Sequence, residues 1–430
     1  MTQLRLRNTS AVKSLKTFTT LKKLELCRID LSLEWPSLPA NSLEELRVID
    51  CKMKTLPSWF EKLKRLKVLR ISCSEEHYRS FRFVPEVVTK LTSLEVLDLS
   101  NNGVRQIPDS LGSLTLLREL NLSGNPIEVL PESITALSSL EKLDLSSCEI
   151  SQLPDSLIQL QKLKVLRIIS YSKTSIFHGL QSFPEVVTKL TSLEELDLSN
   201  NWINELPDSL SHLTSMRKLD LSSNPIKVLP ESITALSSLE ELDLSRCKIR
   251  QLPGSFIKLQ KLKVLRITGY LKTSIPHGLQ TVPEVVTKLT SLEELDLSNN
   301  YIKKLPDSFI QLQKLKVLRI TGYSELSIPH GLQTVPEVVT KLTSLKELDL
   351  SHNQINELPD RLDSLTSMRK LNLSSNPMKV LPESITALSS LKELDLSDCR
   401  ISQLPDSQAQ SQARAVLSQD QGRSVPGPAK

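Results

Sequence analysis

The sequence predicts an α/β solenoid, a horseshoe of short coils with a parallel β-sheet on the concave face and short helices or turns on the convex face. Three observations predict it. The frame L-x-x-L-x-L-x-x-N-x-I-x-x-L-P-x-x-L-x-x-L, complete from Leu193 to Leu213, recurs through the 430-residue chain. Its starts at Leu43, Leu66, Leu94, Leu117, Leu140, Leu163, Leu193, Met216, Leu239, Leu262, Leu292, Leu315, Leu345, Met368 and Leu391 are mostly 23 residues apart, with a step of 28 after Leu66 and steps of 30 after Leu163, Leu262 and Leu315. A longer period of 99 residues relates Leu94, Leu193 and Leu292, and the phrase PESITALSSL returns at Pro131, Pro230 and Pro382, which marks duplication of a four-coil block.

In chain order, Met1 to Thr20 holds a degraded coil (Leu4, Leu6, Leu15, Phe18), read either as a rough cap or as part of something longer, and a looser frame starts at Leu21. Terminal coils of repeat stacks normally carry a polar outer face. Within each coil, L-x-x-L-x-L alternates apolar and polar residues as a short strand does, with its leucines pointing inward. After the Leu-Pro pair, apolar residues recur every third position, as at Pro154, Leu157, Leu160 and Leu163, which suits a helical turn with proline in its first turn.

The ninth frame position is an asparagine ladder (Asn102, Asn125, Asn201, Asn224, Asn300, Asn353, Asn376), whose amides are expected to bond backbone groups that the turn would otherwise bury unpaired. Cys51, Cys148, Cys247 and Cys399 take the same place. Several coils separate them at about 4.8 Å per strand, far beyond the roughly 7 Å Cα limit of a disulfide. Cys51 and Cys73 lie on adjacent coils, and free thiols are expected there too. In the long coils Tyr171, Tyr270 and Tyr323 replace the asparagine, each followed by about seven extra residues ending in His-Gly-Leu at His178, His277 and His330. Ordered loops are expected to leave the edge of the solenoid at these points.

Coils that contact only their neighbours can extend without limit, so residues 1–406 read as one repeat domain of about 16 coils. Residues 407–430, rich in Ser, Gln and Ala, read as a disordered tail. Lys and Arg total 54 against 49 Asp and Glu, with signs interspersed, so nucleic acid is not the implied partner. No apolar run approaches the roughly 18 residues that span a bilayer, and Met1 to Ser10 lacks the apolar core of a secretory signal. The expected setting is the cytoplasm, without membrane insertion. Glycine is scarce, at 11 residues, and no nucleophile-base pair, phosphate-cradling loop or metal-ligand spacing is present, so neither catalysis nor a cofactor or metal is expected. His178 and His277 lie about 20 Å apart by strand spacing, against ligation distances of about 2 Å, and read as solvated loop histidines. Asn8, Asn121 and Asn372 stand in N-x-S/T triplets and read as ordinary polar positions.

The Leu-Pro signature at Ile107-Pro108, Leu130-Pro131, Leu153-Pro154 and Leu206-Pro207 resembles the intracellular leucine-rich repeat class of the Ras–Raf scaffold proteins. Similar coils occur in plant intracellular Ras-group-related repeat proteins, in Scribble and Erbin, in Roco GTPases, and in disease-resistance-like and death-domain repeat proteins. The resemblance covers nearly the whole chain and implies a leucine-rich repeat solenoid. For function it implies a non-enzymatic protein-binding scaffold or sensor in intracellular signalling, without specifying a partner. The alternatives are a repeat segment of a larger signalling enzyme of the Roco type, or of an immune receptor.

Candidate partner-binding residues come from the fifth frame position, expected to face solvent on the concave sheet. Carboxylates dominate it, and arginine (Arg167, Arg266, Arg319) marks the 30-residue coils. Asp197, Asp220 and Asp243, flanked by Glu194, Glu195, Glu240 and Glu241, form its most acidic run and suit a protein partner with a basic surface. The row has two readings, a solubility device carried by duplication or a binding row. The loop residues Tyr171, His178, Tyr270, His277, Tyr323 and His330 offer a second contact surface.

Overall fold

The computed structural model describes residues 1–9, 14–32, 35–53, 55–74, 81–170, 179–269, 278–322 and 331–402. The chain divides into two compact units, Met1–Asp220 and Leu221–Lys430. Among the described residues the first unit carries ten strands: β1 (Gln3–Arg7), β2 (Lys23–Cys27), β3 (Glu45–Ile49), β4 (Val68–Ser72), β5 (Val96–Asp98), β6 (Glu119–Asn121), β7 (Lys142–Asp144), β8 (Val165–Arg167), β9 (Glu195–Asp197) and β10 (Lys218–Asp220). Each pairs in parallel with the next. The described residues of the second unit carry seven: β11 (Glu241–Asp243), β12 (Val264–Arg266), β13 (Glu294–Asp296), β14 (Val317–Arg319), β15 (Glu347–Asp349), β16 (Lys370–Asn372) and β17 (Glu393–Asp395), paired in the same way. No helix among the described residues is long and apolar enough to cross a membrane.

The register places each frame position against the same position of the next coil, as in Leu196 against Leu219 and Asp197 against Asp220. A slip by one residue would turn the buried leucines outward, so the apolar frame itself sets the register. Leu193, Leu198, Leu210 and Leu213 are all wholly buried. The stretch read as a degraded coil contributes β1, and Asn8 at its end adopts the left-handed conformation (φ 51°). That conformation recurs at the eighth frame position of the short coils, as in Asn101, Ser147, Asn200, Arg246 and Asn299. In the 30-residue coils the equivalent Ser170, Gly269 and Gly322 do not adopt it.

The turns after Leu-Pro are mostly five-residue 3-10 helices such as Asp109–Ser113, Glu132–Ala136 and Asp155–Gln159. Four-residue α-helices occur at Glu86–Thr89, Glu284–Thr287 and Glu337–Thr340. Proline stands one residue earlier than expected. Pro108 is the extended residue before the helix (φ −74°, ψ 149°), and its carbonyl accepts the first helical bond from Leu111 N–H at 3.0 Å. A ring that fixes φ suits this position, and the carbonyl is the group the helix uses there.

The asparagine ladder bonds the turn as expected, and it also joins neighbouring coils. Asn201 Nδ2 donates to the Leu198 and Ser199 carbonyls of its own turn, at 2.9 and 3.2 Å, and to the Ile168 carbonyl of the preceding coil at 2.6 Å. Its Oδ1 accepts from Leu180 N–H at 2.9 Å. The pattern repeats at Asn300 with Leu279 and at Asn353 with Leu332. Each of these leucines ends a His-Gly-Leu phrase, so the ladder pins the chain where it returns from the inserted segment. Glycine is required beside it. Gly331 has φ +110°, and a Cβ there would lie 2.3 Å from Asn353 Oδ1.

Cysteine at the ladder position makes a weaker version of the bond, with Cys148 Sγ donating to the Leu122 carbonyl at 3.4 Å and Cys247 Sγ to the Leu221 carbonyl at 3.3 Å. None of Cys27, Cys51, Cys73, Cys148, Cys247 and Cys399 is joined in a disulfide. Burial pushes the Cys51 thiol up to about 11 and that of Cys148 to about 12, so both stay protonated at neutral pH.

Three substitutions test this coupling. Asn201→Ala strands buried carbonyls on two coils and should cost about 3 kcal/mol, whereas Asn201→Cys should cost less. Leu198→Asp forfeits about 2 kcal/mol of apolar burial and adds several kcal/mol for an unpaired buried carboxylate. Urea midpoints should fall in the order Asn201→Cys, Asn201→Ala, Leu198→Asp. Equal midpoints for Asn201→Ala and the parent would mean the ladder does not couple coils.

Candidate protein-binding face

The solvent side of each sheet is built from the third and fifth frame positions, because the fourth and sixth are the buried leucines. In the first unit this side holds an open groove of about 510 Å³, whose charged lining is Asp144, Arg167, Glu195, Asp197, Lys218 and Asp220. Four carboxylates face two cations. Arg167 lies in register between Asp144 and Asp197, and its guanidinium approaches Glu195 at 3.6 Å. Burial pushes the Asp197 carboxyl above its ordinary 3.8, and the facing Asp220 adds to the rise while Ser199 opposes it. Ser146, 8% exposed at the groove, has a hydroxyl with no hydrogen-bond partner among the described residues.

The fifth-position residues also have a local task that the sequence reading missed. Asp197 Oδ1 accepts from Ser199 N–H at 3.0 Å, and the same bond closes the turn at Asp98, Asp144, Asp243, Asp296, Asp349 and Asp395. Asn121 and Asn372 accept it equally well, each at 3.0 Å. The N-x-S triplets at these two asparagines are therefore turn closures. The signal was present as Asp or Asn followed two residues later by Ser, an Asx turn at the strand end.

The other candidates are placed as follows. Asp243 belongs to the second unit and lies 3.7 Å from Arg266. Arg266 and Arg319 converge on Glu294, at 3.0 and 2.9 Å, and Arg319 reaches Glu347 at 3.7 Å. These two arginines thus have carboxylate partners within the protein. Glu241 stands on β11 opposite Val264. Glu194 and Glu240 occupy the second frame position, just ahead of their strands, and Glu240 pairs with Lys263 at 2.6 Å. Tyr171, His178, Tyr270, His277, Tyr323 and His330 lie outside the described residues.

The second frame position forms a charge ladder of its own, legible in the sequence once that position is followed from coil to coil. Through the first unit it runs Lys22, Glu44, Lys67, Glu95, Arg118, Glu141, Lys164, Glu194, Arg217, and in the second unit Glu240, Lys263, Glu293, Lys316. Its neighbours pair: Lys22 with Glu44 at 3.0 Å, Lys67 with Glu95 at 2.9 Å, Lys164 with Glu141 at 3.2 Å and Lys316 with Glu293 at 2.6 Å. Lysine hydrogen bonds hold the Glu44, Glu141 and Glu293 carboxyls below their ordinary value.

The family profile described as "Leucine-rich repeat region" matches residues 108–224, 207–282 and 270–374, which together exceed half of the chain. The chain belongs to the leucine-rich repeat family. A further profile, "Leucine rich repeat", matches residues 82–127. This leucine-rich repeat protein is similar to an LRR protein of Leptospira interrogans, with a TM-score of 0.74 and 27% identity over 89% of this chain and 93% of that one. It is 37% identical over 84 residues to the human volume-regulated anion channel subunit LRRC8E, covering 19% of this chain and 10% of that protein. It is 30% identical over 102 residues to TMV resistance protein N of Nicotiana glutinosa, covering 19% of this chain and 9% of that protein. The chain spans a tenth or less of the length of these curated relatives. Leucine-rich repeat stacks present extended surfaces that bind other proteins.

The two roles of Asp197 can be separated. Because its folded-state value is raised, Asp197 favours folding fully only below about pH 3.8, and that contribution is lost as pH rises through the folded value. Asp197→Asn keeps the turn closure and removes the charge penalty, so its stability relative to the parent should be higher at pH 7 and lose that advantage toward pH 3. Asp197→Ala also loses the bond and should cost about 1 kcal/mol at pH 7. Thermal melts across that pH range check both.

Proposed function

We propose that this leucine-rich repeat protein is a non-enzymatic scaffold or sensor in cytoplasmic signalling, akin to the Ras–Raf scaffold class, and that it docks a protein partner with a basic surface on the solvent side of its sheet. The groove of about 510 Å³ carries the reading, with four carboxylates against two cations and the Asp197 carboxyl raised by burial and by Asp220. A bound cation would relieve that repulsion and neutralise the face. The unpartnered Ser146 hydroxyl adds a polar contact at the same place. A second reading, a recognition segment within a larger protein, draws support from the curated matches, which each cover a tenth or less of the relative.

The test is titration of a fluorescein-labelled Lys/Arg-rich peptide against the full chain, followed by anisotropy. Association should slow and weaken as salt rises, because exposed charges are screened beyond a Debye length of about 8 Å at physiological ionic strength. The double change Asp197→Asn with Asp220→Asn should reduce the association rate while leaving the melting temperature unchanged or higher. Salt-independent binding, or a double variant that binds as fast as the parent, would overturn the docking role and leave Asp197 with turn closure alone.

A further inference from the structure

The charge ladder at the second frame position breaks in the last coils, where Lys316 is followed by Lys346, Arg369 and Lys392. The block duplication shows what changed. Lys346 occupies the place of Glu95, Glu194 and Glu293 in the equivalent coils, and Lys392 that of Glu141 and Glu240, whereas Arg369 keeps the arginine of Arg118 and Arg217. Two acid positions have become basic, both in the same short stretch.

The four cations stand on successive coils of one unit. Lys346 N–H donates to the Lys316 carbonyl at 2.8 Å, Arg369 N–H to the Lys346 carbonyl at 2.7 Å, and Lys392 N–H to the Arg369 carbonyl at 2.8 Å. Lys316 retains Glu293. Among the described residues, Lys346, Arg369 and Lys392 make no ion pair, and Arg369 and Lys392 are exposed. The strand carboxylates next to them in sequence, Glu347 and Glu393, are engaged by Arg319 at 3.7 Å and by Lys370 at 3.1 Å. Like charges on adjacent strands destabilise the free sheet, so this stretch gives up the stabilising alternation found elsewhere in the chain.

We propose that the stripe Lys316, Lys346, Arg369, Lys392 is a second docking surface, which takes an extended acidic segment of a protein partner running across the strands. Four strands at about 4.8 Å per step span about 14 Å, and alternate residues of an extended peptide repeat at about 6.7 Å, so three acidic side chains at i, i+2 and i+4 cover the same length. The stripe is bordered on the strands by Glu347, Lys370 and Glu393 in register, with Lys370 held by Glu393. Those carboxylates disfavour a broad phosphate surface such as a membrane or a nucleic-acid backbone, and leave a single extended chain as the occupant that fits. This surface is opposite in charge to the Asp197 groove and independent of it.

The experiment measures binding of a fluorescein-labelled peptide with glutamate at three alternate positions to the full chain. Three variants are compared: Lys346→Glu with Lys392→Glu, which restores the alternation; Lys303→Glu with Lys304→Glu, which makes the same change in net charge away from the stripe; and Asp197→Asn with Asp220→Asn. The restored ladder should melt at a higher temperature than the parent and bind the peptide about tenfold more weakly. The Lys303 and Lys304 variant and the groove variant should bind like the parent. Equal binding by the restored ladder, or equal loss in both Lys→Glu variants, overturns the proposal. It is also overturned if phosphatidylserine vesicles or single-stranded DNA bind the stripe more tightly than the peptide does.

Discussion

The interaction on which the rest of the structure depends is the side-chain amide that belongs to two coils at once. A turn between a three-residue strand and a short helix buries several carbonyls that no sheet or helix can satisfy. Asn201 answers those of its own turn and one of the preceding coil, then fixes Leu180 with its oxygen. Its geometry therefore sets where adjacent coils sit, and the parallel register follows because each coil presents the same frame to the next. The three 30-residue coils lengthen on the same terms, their chain returning to the ladder with a glycine and a leucine at Leu180, Leu279 and Leu332.

The solvent side of the sheets shows how closely structural and binding roles overlap in a repeat. The carboxyl group at the fifth position closes the turn through one oxygen, and the other is left to face its neighbours. An asparagine closes the turn equally well, as Asn121 and Asn372 show. Retaining aspartate at Asp197 therefore keeps a charge that the turn does not need, on the strand beside Asp220, whose own charge raises the Asp197 carboxyl. At the second position the opposite logic prevails through most of the chain, where alternating signs turn a solvated edge into a run of ion pairs. Departure from that alternation is informative because the alternative costs nothing in backbone geometry.

The frame of leucines, the Leu-Pro signature and the asparagine ladder were legible in the sequence, since each depends on local spacing and on burial that repeats identically in every coil. The fold class, the parallel strands, the absence of disulfides between ladder cysteines and the polar service of the ladder follow from those alone. Other features needed coordinates because they depend on which groups meet across coils. The sequence places an arginine in each long coil, but only packing brings Arg266 and Arg319 to one carboxylate, Glu294. It places proline near a helix start, but backbone dihedrals decide that the ring stands just outside the helix. It also shows an acidic row, and the Ser two residues after each acid signals the turn closure, but only the packing of coils shows that burial and the facing Asp220 raise the Asp197 carboxyl. Periodicity determines what each coil is made of; the tertiary structure decides which charges are already spent on a neighbour, because that is a matter of distance between coils.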